Sequence, residues 1–419
     1  MNKYYKLLFT LSSLLLLQIV HGQSMTYEEF TSQEIVFEKT NSQWAQQQDY
    51  VVLISIDGFR YDYAEKYGAT NIQSFLEKGA ASKRMIPSFP SKTFPNHYTL
   101  VTGMRPGNSG LVGNSFYSRS KDAWYEVRDK SAVRDSSWYN GVPLWSLAEQ
   151  NGMLSASLFW VGSEAAIAGE RPTYYYTYNG KVPNEYRLRK VAEWLQLPAE
   201  RRPHMMFAYF SLVDDAGHKY GPDHEMTRKA VLEVDEHIGN FLEELKQIDL
   251  NVHVVLVSDH GMSTINRGIV LPDAVDLDDA QVSFSLPPMI YQPDSQKLDK
   301  LYNQLIQIPN VDVYKKEQIP DYLALQNNDR VGDLILITSP PTVILDAPKR
   351  VYGGTHGFDP YRDINMGAIF YALGPQIKSG IMMPPIENIH VYPLIAKILG
   401  LTYDQEIDGK LSALESILK

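Results

Sequence analysis

Three short apolar runs, each with an acid at or next to its end, limit most tightly how this chain can fold. Asp49–Gly58 reads DYVVLISIDG, Met205–Asp214 reads MMFAYFSLVD, and Val252–His260 reads VHVVLVSDH. Runs of about four to eight β-branched and aromatic residues, without polar alternation, read as strands buried on both faces. Between and around them lie helical patterns at Ile72–Gly79, Pro95–Thr102, Val142–Asn151, Glu185–Leu195 and Thr227–Ile248. That alternation predicts an α/β fold with a mostly parallel sheet covered on both faces. Such sheets bind ligands beyond the carboxyl ends of their strands. Here three strands deliver acids or histidines to that edge.

The flanking segments differ in character. Lys3 and Lys6 precede the apolar run Leu7–Val20, and a polar break follows at His21-Gly22-Gln23. The run is short for a membrane span, so residues 1–22 are expected to be a cleaved secretory signal, with a retained anchor as the alternative. Residues 23–48 are Gln-rich and read as a surface arm. Residues 49–265 and 351–419 carry the core pattern, closing with a strand at Gly367–Leu373 and a helix at Tyr392–Leu399. Residues 266–350 read as a small inserted α+β subdomain, with a helix at Gln296–Ile306 and strands at Val311–Tyr314 and Leu334–Ile337.

Composition narrows the chemistry. The 419 residues include no cysteine, which excludes disulfides, thiolate zinc fingers, iron–sulfur clusters and a cysteine nucleophile. Any metal site must be built from oxygen and imidazole nitrogen. With 49 acidic against 39 basic residues the chain lacks the balance of a nucleic-acid binder. Export without disulfides suits a bacterial periplasm.

Six side chains stand just beyond strand ends or tight turns: Asp57, Asp214, His218, Asp259, His260 and His356. Three carboxylates and three imidazoles divide naturally between two divalent ions. Taken singly, each acid could cap a helix and each histidine could be a surface group. In Ser88–His97 (SFPSKTFPNH), Thr93 precedes Pro95, where a helix is expected to begin. A hydroxyl there faces the free N–H groups that favour an anion, and it could equally serve as an N-cap.

Residues 51–400 resemble the nucleotide pyrophosphatase/phosphodiesterase family, as found in bacteria, within the alkaline phosphatase superfamily. The resemblance is carried by ISIDGFR (54–60), PSKTFPNHYTLVTG (90–103), GLVGNSFY (110–117), FWVGSE (159–164), RPTYYYTYNG (171–180), VDDAGHKYGP (213–222), VSDHGM (257–262) and GGTHGFD (353–359). It implies a three-layer, alkaline-phosphatase-like core and two Zn2+ ions. Asp57, Thr93, Asp259 and His260 would hold the zinc that activates the Thr93 nucleophile. Asp214, His218 and His356 would hold the second, and Asn114 would bond a non-bridging phosphoryl oxygen. Phe94, Tyr178 and Tyr209 match positions lining a base pocket, with Trp160 and Glu164 near it. Ser109, Ser115 and Asp215 depart from common family residues, none of them at a ligand position. His97, His204, His224, His237, His253 and His390 match no ligand and read as structural or surface histidines.

The implied reaction is attack by Thr93 on a nucleotide phosphodiester or pyrophosphate, then hydrolysis of the phosphothreonine-type intermediate to a nucleoside 5′-monophosphate. The expected partner is a small nucleotide substrate, with no specific nucleic-acid binding and no membrane span once the signal is removed. Oligomeric state is left open. Choline-type lipid diesters or phosphate monoesters are alternative substrates; a monoesterase would want a cationic clamp, for which Lys92 is the candidate beside Thr93. A non-catalytic binding protein is the remaining alternative.

Overall fold

The computed structural model describes residues 33–35, 39–326 and 328–419. The expected signal peptide and most of the expected arm lie outside the described residues. The central sheet holds, in chain order, β1 (Gln33–Ile35), β2 (Tyr50–Ile56), β3 (Ala80–Ser82), β4 (Ser155–Leu158), β5 (Tyr174–Tyr176), β6 (Met205–Phe210), β7 (Val252–Val257), β8 (Phe370–Leu373) and β9 (Ile381–Met383). Across the sheet they run β1-β5-β4-β6-β2-β7-β8-β3-β9. The five strands from β5 to β7 are parallel, and β1 and β8 flank them antiparallel.

The alternation of each strand explains the layers. Val51, Leu53, Phe207 and Val255 face one core, packed by the helices α2 (Thr93–Thr102), α3 (Leu144–Gln150) and α7 (Val391–Ile398). Val52, Ile54, Ala208 and Leu256 face the other, packed by α1 (Thr70–Lys78), α4 (Asn184–Leu195) and α6 (Glu225–Leu245). Both faces of the strands are buried, which is why these runs carry no polar alternation. The product is the expected three-layer α/β core.

Register aligns the functional edge. Ile54 lies opposite Ala208 on one side and Leu256 on the other, so β6, β2 and β7 end almost level at the middle of the sheet. Two local expectations are corrected. The run Met205–Asp214 stops being strand at Phe210, and α5 (Leu212–Tyr220) takes over before Asp214. Asp214 and His218 therefore stand one helical turn apart on α5, where i and i+4 share a face. Thr93 is the first helical residue of α2 and not its cap, because Lys92 takes the extended N-cap conformation.

The stretch after β7 builds a separate four-stranded antiparallel sheet, ordered Gln281–Ser283, Met289–Tyr291, Leu334–Ile337, Asp312–Lys315, with a helix at Ser295–Leu305. One face packs its own core of Ile290, Leu301, Leu305, Leu334 and Leu336. The other face, through Met289, Tyr291, Ile335 and Ile337, joins the main core. The neck is a short antiparallel ladder of Ser263–Thr264 with Gly354–Thr355. At the opposite edge, β1 extends the sheet, and Lys39 pairs with Glu149 (3.2 Å) and Glu170 (2.5 Å). Among the described residues, no helix is long and apolar enough to cross a membrane.

Candidate active site

The three level strand ends gather six ligand-type side chains into two groups. Asp57, Asp259 and His260 form one and Asp214, His218 and His356 the other, with ligand atoms within 4.8 Å of one another in each. In the first, His260 Nε2 lies 2.9 Å from Asp259 Oδ2 and 3.4 Å from Asp57 Oδ1. In the second, Asp214 Oδ2 is 3.4 Å from His218 Nε2 and its Oδ1 is 3.8 Å from His356 Nε2. The groups touch through the stacked rings of His260 and His356, whose centroids are 3.5 Å apart.

This convergence depends on one glycine. Gly58 follows Asp57 with φ +68°, and a Cβ there would meet Asp214 Cα and Cβ at 2.9 Å. Only glycine lets the β2 turn and α5 approach this closely. The Gly58 N–H also donates to Asp259 Oδ1 at 3.2 Å, tying the turn to the end of β7.

Each histidine is held in one tautomer. Nδ1 of His218, His260 and His356 lies 2.9 Å from the carbonyl of Gly354, Gly261 and Ser91 respectively. A carbonyl only accepts, so each Nδ1 carries the proton and each Nε2 presents a lone pair. Such backbone anchoring is the usual support of metal-ligating imidazoles.

The charges in the site are out of balance without cations. Burial, reinforced by Asp259 and Asp214, pushes the Asp57 carboxyl well above the ordinary range, and burial also raises Asp214. Asp259 is the exception: burial opposes its ionisation, but the positive charge that His260 and His97 carry when protonated holds it below the ordinary range. Burial drives the His356 imidazole well below its ordinary value, helped by His260 and Lys92. Among the described residues, no lysine or arginine pairs with any of the three aspartates. One oxygen of each aspartate (Asp57 Oδ1, Asp214 Oδ1 and Asp259 Oδ2) is buried without a hydrogen-bond partner. Buried charges of one sign are costly unless paired or coordinated to metal. An all-oxygen-and-imidazole donor set with three orphaned carboxylate oxygens fits two divalent ions, zinc among them.

Thr93 stands between the first of these candidate groups and a cavity. Its Oγ1 is 3.4 Å from His260 Nε2. It also lines a cavity of about 380 Å³, together with Phe94, Trp160, Glu164, Tyr178 and Tyr209. All five expected pocket residues thus share one cavity. Asn114 Oδ1 accepts the Phe94 N–H at 3.0 Å, which puts the two donors of its Nδ2 on the other side of the amide. Lys92 lies apart from the aromatic cavity: its buried ammonium donates to the His356 carbonyl at 3.3 Å, and burial lowers it to about 8.

Sequence reasoning missed several residues here. Phe159 and Arg134 also line the cavity, and Arg134 Nε donates to Glu164 Oε2 at 2.8 Å. His97 is buried against the first metal group: Nδ1 reaches the Thr93 carbonyl at 2.9 Å and lies 3.4 Å from Asp259 Oδ2. Its Nε2 meets Ser55 Oγ at 2.8 Å. The one available signal was its position four residues after Thr93 on the same helix. His204 and His253 are buried structural residues, and His224 caps α6.

A mostly parallel sheet carrying two carboxylate–imidazole groups at one edge, with a hydroxyl and an aromatic cavity beside them, defines a scaffold able to hold a dinuclear hydrolytic centre. Comparison with known proteins places it further. The family model for type I phosphodiesterase / nucleotide pyrophosphatase matches residues 51–359, and the chain belongs to that family. Human ectonucleotide pyrophosphatase/phosphodiesterase family member 1 is 35% identical over 372 residues, covering 84% of this chain but 40% of the relative. The chain thus spans less than half the length of that relative. A bovine bis(5′-adenosyl)-triphosphatase is 33% identical over 361 residues, covering 84% of this chain and 78% of the relative. Among solved structures, inactive murine ectonucleotide pyrophosphatase/phosphodiesterase 5 in complex with AMP superposes with a TM-score of 0.84 at 29% identity, covering 89% of this chain and all of that one.

Proposed function

We propose that the protein is an exported two-zinc phosphodiesterase that cleaves nucleotide phosphodiester or pyrophosphate bonds to release nucleoside 5′-monophosphates. One observation carries the reading: the Thr93 hydroxyl lies between the paired metal groups and a cavity walled by aromatic rings. The AMP bound by the murine relative and the adenosyl substrate named for the bovine one support an adenine-type base in that cavity. Export is supported by the apolar run Leu7–Val20 and by relatives named as ectoenzymes, and a periplasmic destination by the absence of cysteine from an exported chain.

Two Zn2+ ions, one on Asp57, Thr93, Asp259 and His260 and one on Asp214, His218 and His356, would supply the positive charge that offsets charge building at phosphorus and the apical oxygens. The chain's own groups do the rest. Phe94, Tyr178 and Tyr209 offer ring faces to the base, with Trp160 and the Arg134–Glu164 pair behind them. Asn114 Nδ2 donates to a non-bridging oxygen, and the first turn of α2 favours the anionic phosphoryl group. Thr93 Oγ gives up its proton and attacks phosphorus as the bond to the leaving oxygen breaks, that oxygen departing with the electron pair and taking a proton from solvent. Water then cleaves the threonine ester and restores the hydroxyl.

The test is turnover by the zinc-loaded chain. A nitrophenyl nucleotide diester should be cleaved well above nitrophenyl phosphate and nitrophenyl phosphocholine, and Thr93→Ala should abolish turnover while retaining zinc. Fastest cleavage of the monoester or the phosphocholine ester would overturn the substrate assignment, and wild-type activity of Thr93→Ala would remove the nucleophile.

A further inference from the structure

We propose that Tyr209, beyond walling the aromatic cavity, is a positioning residue for the first metal group: its hydroxyl locks Asp57 so that one carboxylate oxygen is reserved for the ion. The proposal builds on the two-metal reading above.

The geometry divides the two Asp57 oxygens cleanly. Tyr209 Oη donates to Asp57 Oδ2 at 2.6 Å, and both residues are buried. Oδ1 has no hydrogen-bond partner and is the oxygen 3.4 Å from His260 Nε2. A carboxylate is symmetric and turns about its terminal torsion with broad, shallow preference. A short bond from a phenol, which has a single proton to give, breaks that symmetry. The oxygen left bare is the one facing the other ligands of its group.

Tyr209 is itself immobilised from several sides. It pairs in register with Ser55 at the end of β2, two residues before Asp57. Arg187, a buried guanidinium, donates to the Tyr209 carbonyl. The His97 ring stands edge-on to the Tyr209 ring at 5.1 Å, and His97 is fixed in turn by Ser55 Oγ and the Thr93 carbonyl. Meanwhile the ring lines the same cavity as Phe94 and Thr93. One side chain therefore presents its ring to the cavity and its hydroxyl to a metal ligand. Phenylalanine at this position keeps the first and removes the second.

The experiment compares wild type, Tyr209→Phe and Tyr178→Phe as full-length, zinc-loaded proteins in competition with a chelator of known affinity. Loss of a hydrogen bond to a metal ligand typically weakens the metal by about 10–100-fold. Tyr209→Phe should release one of its zinc ions with an affinity lowered by about that factor, the other being retained. Tyr178→Phe, which removes a cavity hydroxyl that bonds none of the ligand residues, should follow the wild-type zinc curve. With the nitrophenyl nucleotide diester, Tyr209→Phe should lose kcat while KM stays close to wild type. Superimposable zinc curves for Tyr209→Phe and wild type overturn the proposal, as does an effect confined to KM. Should wild type bind zinc yet fail to cleave the diester, the substrate reading falls while the zinc curves still decide the role of Tyr209.

Discussion

Replacing Gly58 by alanine should be costlier than replacing Gly68, although both glycines hold a left-handed backbone, at φ +68° and +74°. That conformation costs a residue with a Cβ about 1–2 kcal/mol. At Gly68 a Cβ meets nothing within 4 Å, so conformational strain is the whole effect. At Gly58 it meets Asp214 Cα and Cβ at 2.9 Å, and a backbone carbon at the start of α5 cannot swing aside. Overpacking of this kind adds about 1–3 kcal/mol, so Gly58→Ala should lose about 2–5 kcal/mol against about 1–2 for Gly68→Ala. A chain of this size gains about 0.8 kcal/mol per kelvin of unfolding entropy, which makes the Tm falls about 3–6 °C and about 1–3 °C. Calorimetry of both variants after chelation, beside wild type, measures the difference without the stabilisation that bound metal confers. Because the clash falls on Asp214, zinc titration should show the second site weakened in Gly58→Ala and untouched in Gly68→Ala. Equal Tm shifts with intact zinc binding in both variants would refute the close-approach argument.

Three further outcomes follow from other parts of the structure. Asn114→Ala should lower kcat/KM by about 100-fold or more, as removal of an oxyanion donor does, with zinc content unchanged by metal analysis. Arg330 is buried and donates to the carbonyls of Gly110 (2.8 Å) and Trp138 (2.5 Å), so Arg330→Met should cost about 1–3 kcal/mol per stranded carbonyl and lower the Tm in a melting scan. His204, stacked on Tyr50 at 4.2 Å, is held by burial to a pKa of about 4. The unfolded imidazole takes up its proton near 6.5 and the folded one only near 4, so its contribution is intact above 6.5 and is lost as pH falls through that window. Between pH 7 and pH 4, denaturant titration should show wild type losing about 3 kcal/mol more than His204→Phe.

Much of this architecture is legible in the chain because strand and chemistry coincide in single short strings. VVLISID and VHVVLVSDH announce a buried strand and its terminal acid together, so the carboxyl edge could be read before any pairing was known. The run ending VDDAGH misleads at its end, since Leu212 and Val213 fit strand or helix equally and the helix already begins at Leu212. The Tyr209–Asp57 bond was invisible for a different reason. It joins side chains from two strands, and only the β6–β2 register brings them together. His97 was read as structural or surface, because spacing alone cannot say whether an i+4 histidine looks outward or back at the group its helix serves. The second sheet looked like an appendage in sequence, but the apolar residues on its two faces serve two different cores.

The neck formed by Ser263–Thr264 and Gly354–Thr355 gives the metals a mechanical part to play. It closes a circuit of roughly a hundred residues, and the entropy of closing a loop grows with its length, so a metal clip across that circuit restrains the unfolded chain more than a short-range one would. His260 and His356 sit at the two ends of that circuit, and Asp57 and Asp214 bring in two stretches of chain that precede it. With Thr93 as the remaining ligand, two zinc ions would therefore rivet five distant stretches of a polypeptide that has no cysteine with which to cross-link itself. Chelation should then do to this protein what a reductant does to a disulfide-bonded one, with loosened structure accompanying lost catalysis.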